Sequence, residues 1–216
     1  DADEYFSKSL AKEISYKLPM MDNSIKGIFL PRKIIFQNKK IEFGGISDTK
    51  VLRLFRYGYG YCDDRWMDEH IVVNGKTINF LNPILDHNLK PISWWISKHN
   101  NYANKEVFEI IKSQLNQKKI KNNSYFKSFR NRDFYYSTPP ILRVILYFIY
   151  RYIFKLGFLD GYAGFCFHFL QGFWYRLIID IKYIEIKEKF KDKRFNLDKL
   201  VKNYLFIDYQ NDLKQK

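Results

Sequence analysis

The spacing of apolar positions changes several times along the chain. Phe6, Leu10, Ile14 and Leu18 recur every four residues, which predicts a short helix over 4–18, and Pro19 ends it. Short apolar runs follow. Gly27–Phe36 and Lys40–Phe43 read as strands joined by a basic turn, and Pro31 demotes the first to an edge or bent strand. Val51–Tyr57 is strand-like. Ile71–Val73 and Thr77–Leu81 flank Asn74-Gly75-Lys76, which predicts a hairpin because Asn-Gly suits positive φ. Helical spacing returns over 92–115 through Trp94, Trp95, Ile96, Tyr102, Val107, Ile110 and Ile111.

A basic, Asn-rich connector then occupies 112–136, and two apolar helices are expected over about 139–156 and 163–190, with 157–164 as the turn between them. Ser137 and Thr138 are candidate N-caps, with Pro139 and Pro140 in the first turn. Arg143, Tyr147, Arg151 and Lys155 fall four apart and predict a polar, wet stripe on an otherwise apolar helix. The expected organisation is an α+β front, 1–111; the connector, 112–136; apolar helices, 137–190; and a charged tail, 191–216.

The chain has 216 residues, 37 Lys+Arg against 23 Asp+Glu, and a formal net charge of +14. Its apolar content excludes disorder, and its length allows a sizeable core. Cys62 and Cys166, two cysteines 104 positions apart, cannot build a disulfide framework or a Cys-rich zinc site, so a reducing compartment is expected. The chain opens Asp-Ala-Asp-Glu without a signal peptide and its first methionine is Met20, which reads as a trimmed chain or the back part of a longer protein.

The charge is unevenly spread. Lys112 to Arg132 contains seven Lys/Arg and no acid, and the apolar stretch from Ile141 follows closely. That pairing suits an anionic membrane surface, at about 1 kcal/mol per basic residue near the headgroups. A spanning helix is not expected: Arg143, Arg151 and Lys155 interrupt the first stretch, and the longest later run without Asp, Glu, Lys or Arg is 15 residues, against about 20 for a span. No helix-turn-helix, zinc-finger or RRM signature accompanies the basic residues, so nucleic acid is not an expected partner.

Two segments carry candidate chemistry. Asp1 and Asp3 are two apart, so in an extended segment both carboxylates point the same way and can share a hard cation such as Mg²⁺ or Mn²⁺. Asp68, Glu69 and His70 put two carboxylates and an imidazole in consecutive positions, a possible acid/base site or an exposed polar loop. A zinc site from His70 and His87 matches no standard spacing, and His99 and His168 read as structural.

Asp1-Ala2-Asp3-Glu4 followed by Ser7, Leu10 and Ile14 resembles the "DADE" segment of bacterial family-2 glycosyltransferases, in the group serving lipopolysaccharide-core, colanic-acid and exopolysaccharide assembly. The resemblance continues through Arg53-Leu54-Phe55-Arg56, Trp66-Met67-Asp68-Glu69-His70, Asp86-His87-Asn88, Lys98-His99-Asn100-Asn101-Tyr102-Ala103 and Gly157-Phe158-Leu159-Asp160-Gly161, and covers residues 1 to about 190. It implies the C-terminal part of a GT-A α/β fold and an inverting, metal-dependent sugar transfer from a nucleotide-diphosphate sugar to a lipid-linked or glycan acceptor. By the family pattern Asp1 and Asp3 contact the donor and its Mg²⁺ or Mn²⁺, with Asp3 the closer metal ligand. Glu69 falls where relatives have the Glu of a "His-Glu" pair and is the expected base, with Asp68 as alternative; this chain has Asp-Glu-His there instead. Arg53, Arg56, His70, His87 and Lys98 are expected on the acceptor or phosphate side, a role that suits guanidinium groups.

In that family the half before the Asp-x-Asp carries most of the nucleotide pocket, so these residues alone are expected to bind donor weakly and transfer little sugar. The expected location is cytoplasmic, peripheral on the inner face of the cell membrane. The alternative is a non-catalytic basic membrane-surface protein or the inactive remnant of a split transferase gene.

Overall fold

In a computed structural model, the structure is described for residues 3–46, 49–62, 70–116 and 139–189. The fold is α+β with a mixed sheet. The described residues form two compact units: those of Asp1–Pro91 with Ile149–Phe169, and those of Ile92–Phe148 with Leu170–Lys216. Residues 149–169 belong with the sheet in the first unit.

The expected helix over 4–18 is divided. Glu4–Phe6 forms strand β1, and helix α1 spans Lys8–Lys17. The Ser7 hydroxyl accepts from the Leu10 N–H at 3.1 Å, so the chain turns helical only after Phe6, which is on the strand. The central strand is β2, Ile25–Phe36, and β3 is Lys39–Ile41. Gln37 and Asn38, with φ of 49° and 60°, make the two-residue turn between them.

Pro31 does not make β2 an edge strand. One side of β2 pairs antiparallel with β4 (Lys50–Phe55) and β3; the other pairs parallel with β7 (Lys76–Asn79) and β8 (Ile84–His87). Arg32 N–H donates to Thr49 O at 2.8 Å on the β4 side. By strand alternation the Pro31 nitrogen faces the other side, in the gap between Asn79 and Ile84 where no ladder donor is required. β1 pairs antiparallel with β8 and completes this sheet among the described residues.

The hairpin expected at Asn74-Gly75 is also corrected. β6, Ile71–Val73, pairs back with β5, Gly60–Cys62, while β7 runs beside β2. The turn is real, with Gly75 at φ 136°, but it sends the chain from one sheet to another.

Leu10, Ile28, Leu30, Phe80 and Ile84 form a core cluster between α1 and the sheet. Glu13, on the same helix, accepts from the Leu81 and Asn82 backbone N–H groups and from Lys17. Burial opposes its charge, yet these donors hold its carboxyl down at about 2.

The returning segment is irregular. α3 (Pro140–Ile149) runs into a π-helical turn at Tyr150–Phe154; a 3₁₀ turn at Gly157–Asp160 leads into α4 (Gly161–His168). A second π-helical stretch, Phe169–Trp174, precedes α5, Tyr175–Lys189. The expected wet stripe is reversed. Arg143 and Arg151 are buried, and of the three charged residues only Lys155 is exposed. Arg143 donates to the buried Asp180 carboxylate, with Nε–Oδ2 at 2.9 Å. Arg151 Nε donates to Gly44 O at 3.2 Å, and Gly44 N–H donates to Lys155 O at 2.8 Å. The buried Asp160 carboxylate accepts from the Glu42 and Phe43 N–H groups at 3.0–3.1 Å. A buried charge is tolerated only with such partners, and here each finds one inside the protein.

His168 completes this contact. It is fully buried, neither ring nitrogen has a hydrogen-bond partner, and its ring fills the space that a Cβ at Gly44 or Gly157 would need. In the second unit α2, Ile92–Asn116, packs on α5. Lys182 donates to Asn100 and Asn104, and Glu106 takes both the Tyr175 hydroxyl (2.9 Å) and Arg176 (3.0 Å).

Burial, and then the Arg151 charge, depress His168 to about 4; burial is also the main cause that takes His99 to about 4. The unfolded chain binds these protons near the ordinary 6.5, so stability is full above that pH and falls as pH drops toward 4. Urea unfolding should lose stability across this window at up to about 1.4 kcal/mol per pH unit for each group, and His168→Leu should remove about half of the slope.

Candidate functional site

The first strand of the sheet begins immediately after Asp3. Antiparallel pairing sets Glu4 opposite Asp86, and His87 N–H donates to Asp3 O at 2.9 Å. The two quoted segments, 82 residues apart in sequence at Tyr5 and His87, are thus neighbours at one end of β1 and β8. The pairing puts Glu4 and Asp86 on one face of the sheet, and Tyr5, Leu85 and His87 on the other.

Arg53 comes to the first face through a bulge. Ile28 pairs with Leu54 and Phe29 with Leu52, so Arg53 is the extra residue on β4. Its guanidinium grips Glu4 bidentately, Nε–Oε2 at 2.7 Å and Nη2–Oε1 at 3.0 Å. The Glu4 side chain is only 5% exposed, so this is an internal pair. The hydrogen-bonded Glu4 raises the Arg53 pKa above its ordinary value, and Asp86 and Cys62 act in the same direction. Arg32 approaches Asp86 at 3.9 Å. Cys62 is the last described residue before 63–69, and it pairs with Ile71 on the return strand. β6, which follows that segment, packs beside β4, the strand that carries Arg53.

Asp3, half-buried, is the sequence-expected carboxylate placed at this end; Asp1, Asp68 and Glu69 lie outside the described residues. His70 is exposed at the foot of β6. His87 is half-buried, with Nε2 3.2 Å from Asn38 Oδ1 and Nδ1 3.5 Å from the Tyr5 hydroxyl. Arg56 is used elsewhere: its Nε donates to Ile25 O at 2.9 Å, at the start of β2. Lys98 belongs to the second unit, with its ammonium 5.0 Å from the Trp94 ring centre and 5.7 Å from that of Tyr102.

No group of three or more His, Cys, Asp or Glu able to hold a metal ion occurs among the described residues. The donors at this end are carboxylate oxygens, the chemistry of Mg²⁺ and Mn²⁺ rather than of softer metals. Glu4 is held by Arg53, and Asp3, with Asp1 beside it in sequence, stands at the same end of β1.

Sequence alone does not mark Glu4, Arg32, Tyr5, Asn38 or Asp86 as site residues. Glu4 and Asp86 lie inside motifs that carry the family resemblance, but only the β1–β8 pairing reveals that they face one another. The chain matches no family model, no curated protein and no solved structure.

Arg53→Met should strand the Glu4 carboxylate in its buried position and cost about 3 kcal/mol in urea unfolding. The double change Arg53→Met with Glu4→Leu should be less damaging than Arg53→Met alone, because no buried charge is left behind.

Proposed function

We propose that this chain supplies the metal-binding and acceptor side of an inverting GT-A glycosyltransferase of the bacterial family 2 type. The observation that supports the reading is that Arg53 on β4 binds Glu4, on the strand that follows Asp1-Ala2-Asp3, while β4 packs beside β6, the strand that follows Asp68-Glu69-His70. Sugar transfer requires these two functions together: carboxylates for the cation and diphosphate, and a carboxylate base at the acceptor hydroxyl.

In this reading Asp3, with Asp1, would hold Mg²⁺ or Mn²⁺, whose chemistry there would be to offset charge developing on the leaving phosphates. Glu69 takes the proton of the acceptor hydroxyl as its oxygen attacks the anomeric carbon from the face opposite the diphosphate; Asp68 is the alternative base. A positioned base contributes about 10²–10⁴-fold. Arg53 keeps Glu4 from competing for the cation and fixes the backbone beside Asp3. His87, held by Tyr5 and Asn38, steadies β8 at the same end and stands on the acceptor side with His70. Lys98 and Arg56 are proposed there only by the family pattern. The acceptor is lipid-linked or a growing glycan, met at the inner face of the cell membrane.

The test uses the chromosomal gene. Asp3→Asn and Glu69→Gln should each cut sugar transfer from labelled nucleotide sugars into lipid-extractable or polymeric product at least 10²-fold in membrane preparations. Protein level and thermal unfolding should be unchanged. Near-wild-type transfer in both strains would remove the site assignment.

A further inference from the structure

The segment 149–169 is turned inside out relative to an ordinary surface segment. It carries three charged residues, Arg151, Lys155 and Asp160. Arg151 and Asp160 point inward, to Gly44 O and to the Glu42 and Phe43 amides. The outward surface is left to Ile153, Phe154, Phe158, Leu159, Tyr162 and Phe165, with Phe154 and Tyr162 73% and 76% exposed. Tyr152 links part of this surface, lying edge-on to Phe158 at 6.3 Å and to Phe165 at 5.7 Å; Phe165 in turn stacks on Phe169 at 5.9 Å. Apolar surface on this scale marks an interaction site.

We infer that this face docks on an anionic bilayer, with the segment lying in the plane of the interface. Charge decides the occupant. The outward charge of the segment is Lys155, exposed and packed along Gly45, and the exposed Lys39 ammonium lies against Gly161. The acid of the segment, Asp160, is consumed internally. Lysines at the edge of an aromatic, apolar surface are complementary to anionic headgroups above acyl chains. No helix among the described residues is long and apolar enough to cross a membrane, consistent with in-plane docking. The second unit shows the same inversion by itself: Arg143 is buried on Asp180, while Ile141, Leu142, Ile145 and Leu146 are exposed. This surface does not rest on the transferase reading.

The test is co-sedimentation of the 216-residue chain with phosphatidylglycerol–phosphatidylcholine vesicles and with pure phosphatidylcholine vesicles. Binding should favour the anionic vesicles and weaken with salt. Phe154→Glu and Leu159→Glu should each lower partitioning about tenfold or more, and Lys155→Ala about fivefold. Leu89→Glu, the same change at an exposed leucine outside the segment, should leave binding unaltered. Without vesicles all four variants should unfold at the wild-type temperature. The inference is overturned by absence of vesicle binding, or by equal binding of wild type and Phe154→Glu. It is also overturned if light scattering shows a wild-type dimer that Phe154→Glu dissociates, which gives the face to a second copy. A large loss of thermal stability in Phe154→Glu and Leu159→Glu would overturn it as well, by giving the face to another part of the chain.

Discussion

Hydrogen bonding along both sides of β2 is the constraint from which the front of the molecule follows. Twelve residues of one strand take four partners: β4 and β3 on one side, β7 and β8 on the other. Each side is shared by two short strands laid end to end, so breaks in the ladder are unavoidable. Pro31 sits at one of them, between Asn79 and Ile84, where no donor is required. Arg53 instead bulges from within the β2–β4 ladder, which lets it reach Glu4.

The candidate site is built on that frame. β8 runs parallel to β2, and its end brings Asp86 and His87 beside the start of β1. Glu4 is then enclosed between β8 and β4, where a lone carboxylate would be costly, and Arg53 neutralises it with two parallel hydrogen bonds. Asp3, one residue earlier, stands where β1 begins, its backbone oxygen accepting from the His87 N–H.

The returning segment obeys a different balance. Its arginine and aspartate satisfy backbone groups of the 42–44 turn, and His168 fills the space left by two glycines. Spending the charged groups inward leaves the aromatic and aliphatic side chains outward. The reverse arrangement, charges in water and rings in the core, is what a helix with one polar stripe favours, and it is what the four-residue spacing of Arg143, Tyr147, Arg151 and Lys155 suggested. Spacing reports which residues share a face. It cannot report which face is inside, because that depends on acceptors such as Gly44 O and Asp180, far away in sequence.

Much of the local structure was legible in the sequence. The α+β class, the helix over 92–115, the strand at 27–36, the start of α3 beside Pro139-Pro140 and the turn at Asn74-Gly75 depend on nearby residues: apolar period, proline and positive φ. What the sequence could not contain was pairing. Whether Glu4–Phe6 extended a helix or joined a sheet was settled by β8, more than 70 residues away. Whether Asn74-Gly75 closed a hairpin was settled by β5 and β2 competing for the flanking strands, and the fate of each charged side chain by its distant partner. Local backbone preferences are written in short windows of sequence; hydrogen-bond partners and the sidedness of burial are properties of the assembled sheet and of the segment that returns to it.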